Sequence, residues 1–306
     1  MDKRWTNRLK AFRTYLLVDR ALSKHSIAAY LHDVERLCHF LKEEGLDKGP
    51  EDLQLDDFRK FLVSLETMEN NSQARIVSGL RTFYRFLLTE GYIKEHPMDL
   101  LQAPKTRRRL PQVLTFEEVE AIENSFDLSL PENFRNKVMV EMMYSCGLRV
   151  SELVSLRLGD LLLDGGCIRV TGKGNKQRLV PIGHYASRLL RLYIEGARAS
   201  FPVQQGCEDC VFLSRRGKTL TREMVFTVVK KAAETAGITK QVSPHSFRHA
   251  FATHLVEGGA DLRSVQAMLG HKNITTTEIY THLDRGYLED TIRNFHPRYN
   301  HKSVNQ

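Results

Sequence analysis

Residues 166–182 read "GCIRVTGKGNKQRLVPI". Runs containing Ile168, Val170 and Thr171 on one side and Leu179, Val180 and Ile182 on the other enclose a Gly-rich centre, "GKGNK". That is the pattern of a β-hairpin closed by a glycine-bearing turn. Most of the chain around it shows apolar residues at helical spacing instead. This one ribbon therefore decides that the second part of the molecule is mixed rather than purely helical.

Working outward, four stretches upstream carry helical periodicity: residues 6–19, 26–45, 55–68 and 71–93. Gly45 and Gly91 fall where helices stop, and Asn71 or Ser72 where one starts. An all-helical first domain over residues 1–103 is the expectation. The segment "APKTRRRLPQ" is bracketed by Pro104 and Pro111, which remove backbone donors and disfavour helix before them. Residues 104–111 are thus expected to be an extended linker, with residues 112–306 forming the second domain. That second domain opens on a capping box, Thr115 with Glu118. It continues with two helices broken near Gly147, then the hairpin, a further strand at "CVFLS", and a helical remainder. The fold class expected is mainly α with a small β-sheet.

The whole chain has 306 residues, more than one core usually serves, which agrees with two domains. With 42% hydrophobic and 27% charged residues it has a globular composition, which excludes a disordered chain. No apolar run approaches the roughly 18 residues of a membrane helix, and the start "MDKRWTNRLK" lacks the apolar core of a secretory signal. Five scattered cysteines suit reduced thiols in a cytoplasm better than a disulfide framework. The net charge of +8 points to a polyanionic partner. Residues 1–100 balance at 16 basic and 16 acidic side chains, whereas Lys105, Arg107, Arg108 and Arg109 stand in a decade with no acid. These four either keep a linker soluble or lie along a phosphate backbone.

Chemistry-bearing residues gather in the second domain. In "SPHSFRHAFATHL", Ser243 has the side chain of an N-cap and Pro244 suits the first helical position. His245 and Arg248, three apart, share one face of the first turn, where free N–H groups favour an anion. Arg149 follows a glycine break; it either pairs with Glu152 a turn on or faces a ligand. Lys173 stands in the hairpin turn beside Lys176 and Arg178, a basic loop that is either exposed or inserted into a groove. His271 follows a glycine at a helix end, where histidines commonly cap or pack. Tyr280, in "TTTEIYTHL", taken alone is a half-buried aromatic.

Together, these residues suit metal-free phosphoryl transfer. Arginine forks grip non-bridging oxygens bidentately, a phenol needs a proton acceptor such as histidine, and a leaving 5′-hydroxyl needs a proton that an ammonium supplies. No phosphate-binding G-x-x-x-x-G-K-[ST] loop, paired-carboxylate set or zinc-spaced ligand set occurs, so neither metal nor cofactor is expected. "CEDC" at 207–210 is a lone CxxC pair, expected to be surface thiols before a strand; a redox-sensing regulator is a minor alternative.

"GLRVSEL", "TGKGNKQR", "HSFRHAFATHL", "ADLRSVQAMLGH" and "TTTEIYTH" stand in the order and spacing of the tyrosine recombinase (phage integrase) family, and the chain resembles its Xer branch over essentially its whole length. The resemblance implies a helical core-binding (SAM-like) domain followed by a mixed α/β catalytic domain. It implies that Arg149 and Arg248 clamp a scissile phosphate, Lys173 protonates the leaving hydroxyl, His245 does acid–base work, His271 hydrogen-bonds the phosphate and Tyr280 attacks. The implied activity is site-specific recombination of double-stranded DNA, resolving chromosome dimers at cell division. The implied assembly is a tetramer with itself or a second Xer-type recombinase, with a septal DNA translocase as a further partner. The integrase of a mobile element and a catalytically silent DNA-binding protein are the alternatives. An apolar stripe beyond Tyr280, Leu288, Ile292 and Phe295, either folds back on its own core or docks on a neighbouring protomer, and the resemblance implies docking.

Overall fold

The computed structural model describes residues 2–102, 112–172, 175–270 and 285–300. The chain divides into two compact units, one ending at Leu110 and the other beginning at Pro111.

The first unit holds α1 (Lys3–Val18), α2 (Lys24–Glu43), α3 (Leu55–Ser64) and α4 (Asn70–Thr89). Asp2 caps α1 and Ser23 caps α2, each side chain accepting a backbone N–H of the first turn. α4 starts at Asn70, a residue before the polar pair that marks it in the sequence, with Glu69 as its N-cap. The core is aromatic: the Phe12 and Phe83 rings meet edge to face at 5.1 Å, and Phe58 meets Tyr84 at 5.0 Å. Burial lifts the Asp33 carboxyl of α2 above its ordinary range, against the opposing pull of Arg75, its ion-pair partner on α4.

The second unit begins with α5 (Phe116–Asn124), α6 (Pro131–Ser145) and α7 (Val150–Ser155). The capping box expected at Thr115 and Glu118 opens α5. Val138, Met139, Val140, Met142, Met143 and Tyr144 of α6 are all fully buried, so this helix is the axis of the unit rather than a half-wet surface helix. Gly147 breaks α6 from α7 at a φ of +58°, and a Cβ there would stand 2.5 Å from the Phe251 ring. Only glycine fits that corner.

β1 (Leu161–Leu162), β2 (Cys167–Thr171) and β3 (Gln177–Pro181) form an antiparallel sheet in the order β1-β2-β3. Ile168 faces Val180 and Val170 faces Arg178 across the hairpin. Ile168, Val170 and Val180 are buried while Leu179 is exposed, so one face of the ribbon covers the core. The strand expected at residues 210–214 does not form. Residues 210–213 are buried but make only isolated bridges, Arg157 with Cys210 and Leu213 with Thr219.

α8 (His184–Glu195), α9 (Arg222–Thr235), α10 (Pro244–Glu257), α11 (Leu262–Leu269), α12 (Arg285–Phe295) and α13 (Pro297–Asn300) complete the unit. In this single chain the tail packs on its own unit, the other of the two fates open to its apolar stripe. Ile292 is fully buried in this same unit among Phe251, Leu255, Val265 and Met268, with Leu288 and Phe295 packed alongside. A polar anchor explains why. Arg298 ion-pairs with Glu120 of α5, with Glu123 of α5, and with Glu141 of α6 at 3.0 Å. A stripe alone has no preferred partner; this arginine gives it one within the chain.

Candidate active site

The site is built around a residue that spacing had presented as a local partner only. Glu152, the third residue of α7, has a side chain 2% exposed. Its carboxylate accepts the Arg149 backbone N–H at 2.9 Å, which closes the start of α7, and the Arg149 guanidinium at 2.7 Å. Arg178 of β3 grips both oxygens of the same carboxylate, each at 2.9 Å. Arg248 of α10 lies 3.8 Å away. Burial pushes the Glu152 carboxyl up, but the hydrogen bonds from Arg178 and Arg149 outweigh it and hold the group below the ordinary carboxylate range. One carboxylate therefore aligns three guanidiniums, and two positive charges are left over.

The arginines are also held from the other side. A helix leaves its last carbonyls without partners. At the end of α11, Arg178 donates to the Met268 carbonyl at 2.7 Å, Arg248 to Leu269 at 2.6 Å and Arg149 to Gly270 at 3.3 Å. Arg248 also donates to the Gly147 carbonyl at 2.6 Å. Gly270 sits at a φ of +64°, and a Cβ there would come within 3.2 Å of Arg178. A side chain at that corner would strain the backbone and crowd the guanidinium. α7, the hairpin, α10 and α11 thus converge because their arginines satisfy each other's helix ends.

Arg248 is buried, and burial first and the neighbouring Arg149 second push its pKa down to about 10. It stays charged at neutral pH, and Glu152 helps keep it so. Arg149 is more open, its side chain 30% exposed. His245 lies exposed in the first turn of α10, one turn from Arg248, behind the cap formed by Ser243 with Ser246 and the leading Pro244. Arg149 and Arg248 are therefore held in one cluster, and His245 stands on the helix that carries Arg248.

The hairpin supplies the next wall. Gly172 pairs through its N–H with the Lys176 carbonyl at 2.8 Å, and a Cβ on Gly172 would lie 3.5 Å from a Glu152 oxygen. The turn that carries Lys173 therefore leaves the sheet beside the carboxylate. Lys176 is exposed, as a residue contacting a ligand backbone needs to be. Arg178, expected as a DNA contact, has its guanidinium bonded to Glu152 and to the Met268 carbonyl in this structure. Lys105, Arg107, Arg108, Arg109, Lys173, His271 and Tyr280 lie outside the described residues. Among the described residues, no three His, Cys, Asp or Glu side chains gather as a metal site. No described helix is long and apolar enough to cross a membrane.

The contact between Glu152 and Arg178 is what sequence reasoning missed. The signal for Glu152 was present in its spacing from Arg149, but a contact between residues 26 positions apart leaves no periodicity to follow.

Comparison with known proteins gives two family matches. Residues 112–286 match the phage integrase family, and residues 9–91 match the phage integrase N-terminal SAM-like domain. The tyrosine recombinase XerD of Chlorobaculum tepidum is 41% identical over 302 residues, covering 97% of this chain and 98% of its own. The tyrosine recombinase XerC of Oceanobacillus iheyensis is 38% identical over 295 residues, covering 95% and 96%. Among solved structures, the XerH site-specific recombinase bound to palindromic difH substrate, in a post-cleavage complex, superposes with a TM-score of 0.69. It is 24% identical, covering 90% of this chain and 81% of that one, and supports the fold.

Proposed function

The chain belongs to the phage integrase family of tyrosine recombinases, and from that membership we propose that it cuts and rejoins double-stranded DNA at specific sites, resolving chromosome dimers at cell division. The observation that carries the chemistry is the surplus of positive charge around Glu152. Arg149 and Arg248 are oriented before any ligand arrives, and such pre-set donors favour the charge that develops on a phosphate in the transition state.

In this mechanism Tyr280 attacks the scissile phosphorus. A 3′-phosphotyrosyl bond forms, the bond from phosphorus to the 5′-oxygen breaks, and Lys173 gives the departing oxygen its proton. His245 manages the proton of the phenol, and His271 hydrogen-bonds a non-bridging oxygen. The ester conserves the bond energy, so a 5′-hydroxyl from a second strand reverses the step without ATP. Lys105, Arg107, Arg108 and Arg109 contact phosphates without reading bases, and Lys176 meets the backbone beside the hairpin. The working assembly is a tetramer on DNA, with itself or a second Xer-type recombinase, prompted by a DNA translocase of the septum. Relatives named XerD and XerC resemble the chain at nearly equal identity, so the proposal is neutral between those two roles.

The test uses nicked duplexes carrying candidate sites, in which the cleaved fragment diffuses away and cannot be rejoined. The expected result is a denaturant-stable protein–DNA adduct that forms equally well with a chelator present. A Lys173→Ala variant should cleave poorly but recover on a substrate whose 5′-bridging oxygen is replaced by sulfur, which leaves without a proton. Absence of any adduct on all sites, or equal Lys173→Ala defects on both substrates, contradicts the corresponding assignment.

A further inference from the structure

The CxxC pair at 207–210 was expected to be a pair of surface thiols, and the structure gives it a different setting. Cys210 is 1% exposed, whereas Cys207 is half-buried. The Cys210 N–H donates to the Cys207 carbonyl at 3.1 Å, so the two residues close a single turn. Turns of this kind hold their end Cα atoms within about 7 Å, close to the roughly 4.4–6.8 Å span of a disulfide. Both sulfurs reach the same hydroxyl, Thr219 Oγ1, at 3.7 Å from Cys207 and 3.1 Å from Cys210.

Two arginines fix this turn. Arg157 donates to the Cys210 sulfur at 2.9 Å, placing a cation against it. Arg198 donates to the Cys210 carbonyl at 3.0 Å and to the Glu208 carbonyl at 2.7 Å. Backbone bonds to Leu156 and Leu158 tie the turn to the segment that follows α7. The Cys207 thiol lies below the ordinary thiol range, chiefly through its hydrogen bond with Thr219 and against the opposing charge of Glu208. Burial pushes Cys38 up to about 12 and raises Cys146 as well, which leaves those thiols inert by comparison.

We propose that Cys207 and Cys210 form a redox-active dithiol, a reversible modification site in which Cys207 meets a small peroxide and Cys210 resolves the product to an intramolecular disulfide. In the first step the Cys207 sulfur attacks one peroxide oxygen. The O–O bond breaks, the other oxygen leaves as water, and Cys207 becomes a sulfenic acid. In the second step the Cys210 sulfur attacks the Cys207 sulfur, the S–O bond breaks and a second water leaves. Two thiols are oxidised by two electrons, and one peroxide is reduced to two waters. Exposure decides the order: the half-buried sulfur meets the oxidant, and the buried one, beside Arg157, can only act within the chain. A thiol reductant reverses the bond.

The test treats the full chain with hydrogen peroxide in the presence of dimedone, followed by intact-mass measurement and peptide mapping. Wild-type protein should lose the mass of two hydrogens, carry one Cys207–Cys210 bridge, and return to its starting mass with dithiothreitol. Cys210→Ser should trap dimedone on Cys207 about tenfold more than wild type, because nothing resolves the sulfenic acid. Cys207→Ser should leave Cys210 unlabelled. Cys210→Ala repeats the measurement without a hydroxyl, and unchanged circular dichroism confirms that each variant is folded. A wild-type chain that forms no bridge, a bridge to Cys38 or Cys167, or equal labelling of Cys210 in Cys207→Ser each overturns the proposal.

Discussion

Two buried clusters in the second unit are near mirror images. Around Glu152 one carboxylate serves three arginines, Arg149, Arg178 and Arg248. Around Arg298 one arginine serves three carboxylates, Glu120, Glu123 and Glu141. The second cluster has a way to relieve its surplus. Burial first, and the neighbouring Glu141 second, raise the Glu123 carboxyl well above its ordinary range, which favours proton uptake there. The first cluster has no such exit, because arginine stays charged in proteins. A surplus of acid can be titrated away, but a surplus of arginine needs an external anion. That difference separates a latch that holds the fold from the cluster proposed above to receive phosphate.

The largest effect expected on this contrast is at Arg248. Replacing it with Ala should lower the rate of adduct formation by roughly 10²–10³-fold, the scale seen when a pre-set transition-state donor is removed. Single-turnover cleavage of a nicked duplex measures this. Arg298→Met should do the reverse, costing about 3–5 kcal/mol of stability by leaving buried carboxylates without their cation. Cleavage per folded molecule should be nearly unchanged. Denaturant titration beside the same cleavage assay tests the pair, and a rate loss at Arg298 to match Arg248 would break the distinction.

A smaller effect separates two neighbours on the hairpin. Arg178→Ala should impair cleavage strongly, because Glu152 loses both of its bonds to Arg178. Lys176→Ala should only weaken DNA binding, lowering the slope of log affinity against log salt by up to about 0.9. Equal salt slopes for the two variants would return Arg178 to the role of a backbone contact.

A further effect is a pH dependence next to the latch. His296 is fully buried beside Tyr144, and burial first pushes its pKa down to about 3. Below about 6.5 the unfolded chain takes up a proton on this ring that the folded chain refuses. Stability from this group is therefore complete above pH of about 6.5 and is lost as pH falls toward 3, by at most about 1.4 kcal/mol per pH unit. His296→Phe should flatten that decline in denaturation curves measured across the interval.

How much of this was legible beforehand follows from the range of each interaction. Helices, the capping box at Thr115 and the hairpin rest on neighbours within a few residues, and they stand in the fold where spacing put them. The convergence of Arg149, His245 and Arg248 came from resemblance, since no local pattern joins residues about a hundred positions apart. Arg178 looked like one more basic residue of a turn because Met268, its carbonyl partner, is 90 residues away. The place of the tail within the chain was out of reach for the same reason. Its stripe was visible, but the Arg298 partners lie between 157 and 178 residues upstream. "CVFLS" is apolar enough for a strand, yet the segment is held by the turn and by Arg157 instead of by a sheet neighbour.

The central claim is that a phenol, placed beside an arginine-rich phosphate site, becomes covalently joined to DNA. The most direct measurement compares wild type with Tyr280→Phe on the same nicked duplexes, recording denaturant-stable adduct and equilibrium DNA affinity together. The account predicts that adduct disappears while affinity stays within about twofold, since the ring remains and only the attacking oxygen is gone. An adduct that persists in Tyr280→Phe would contradict it.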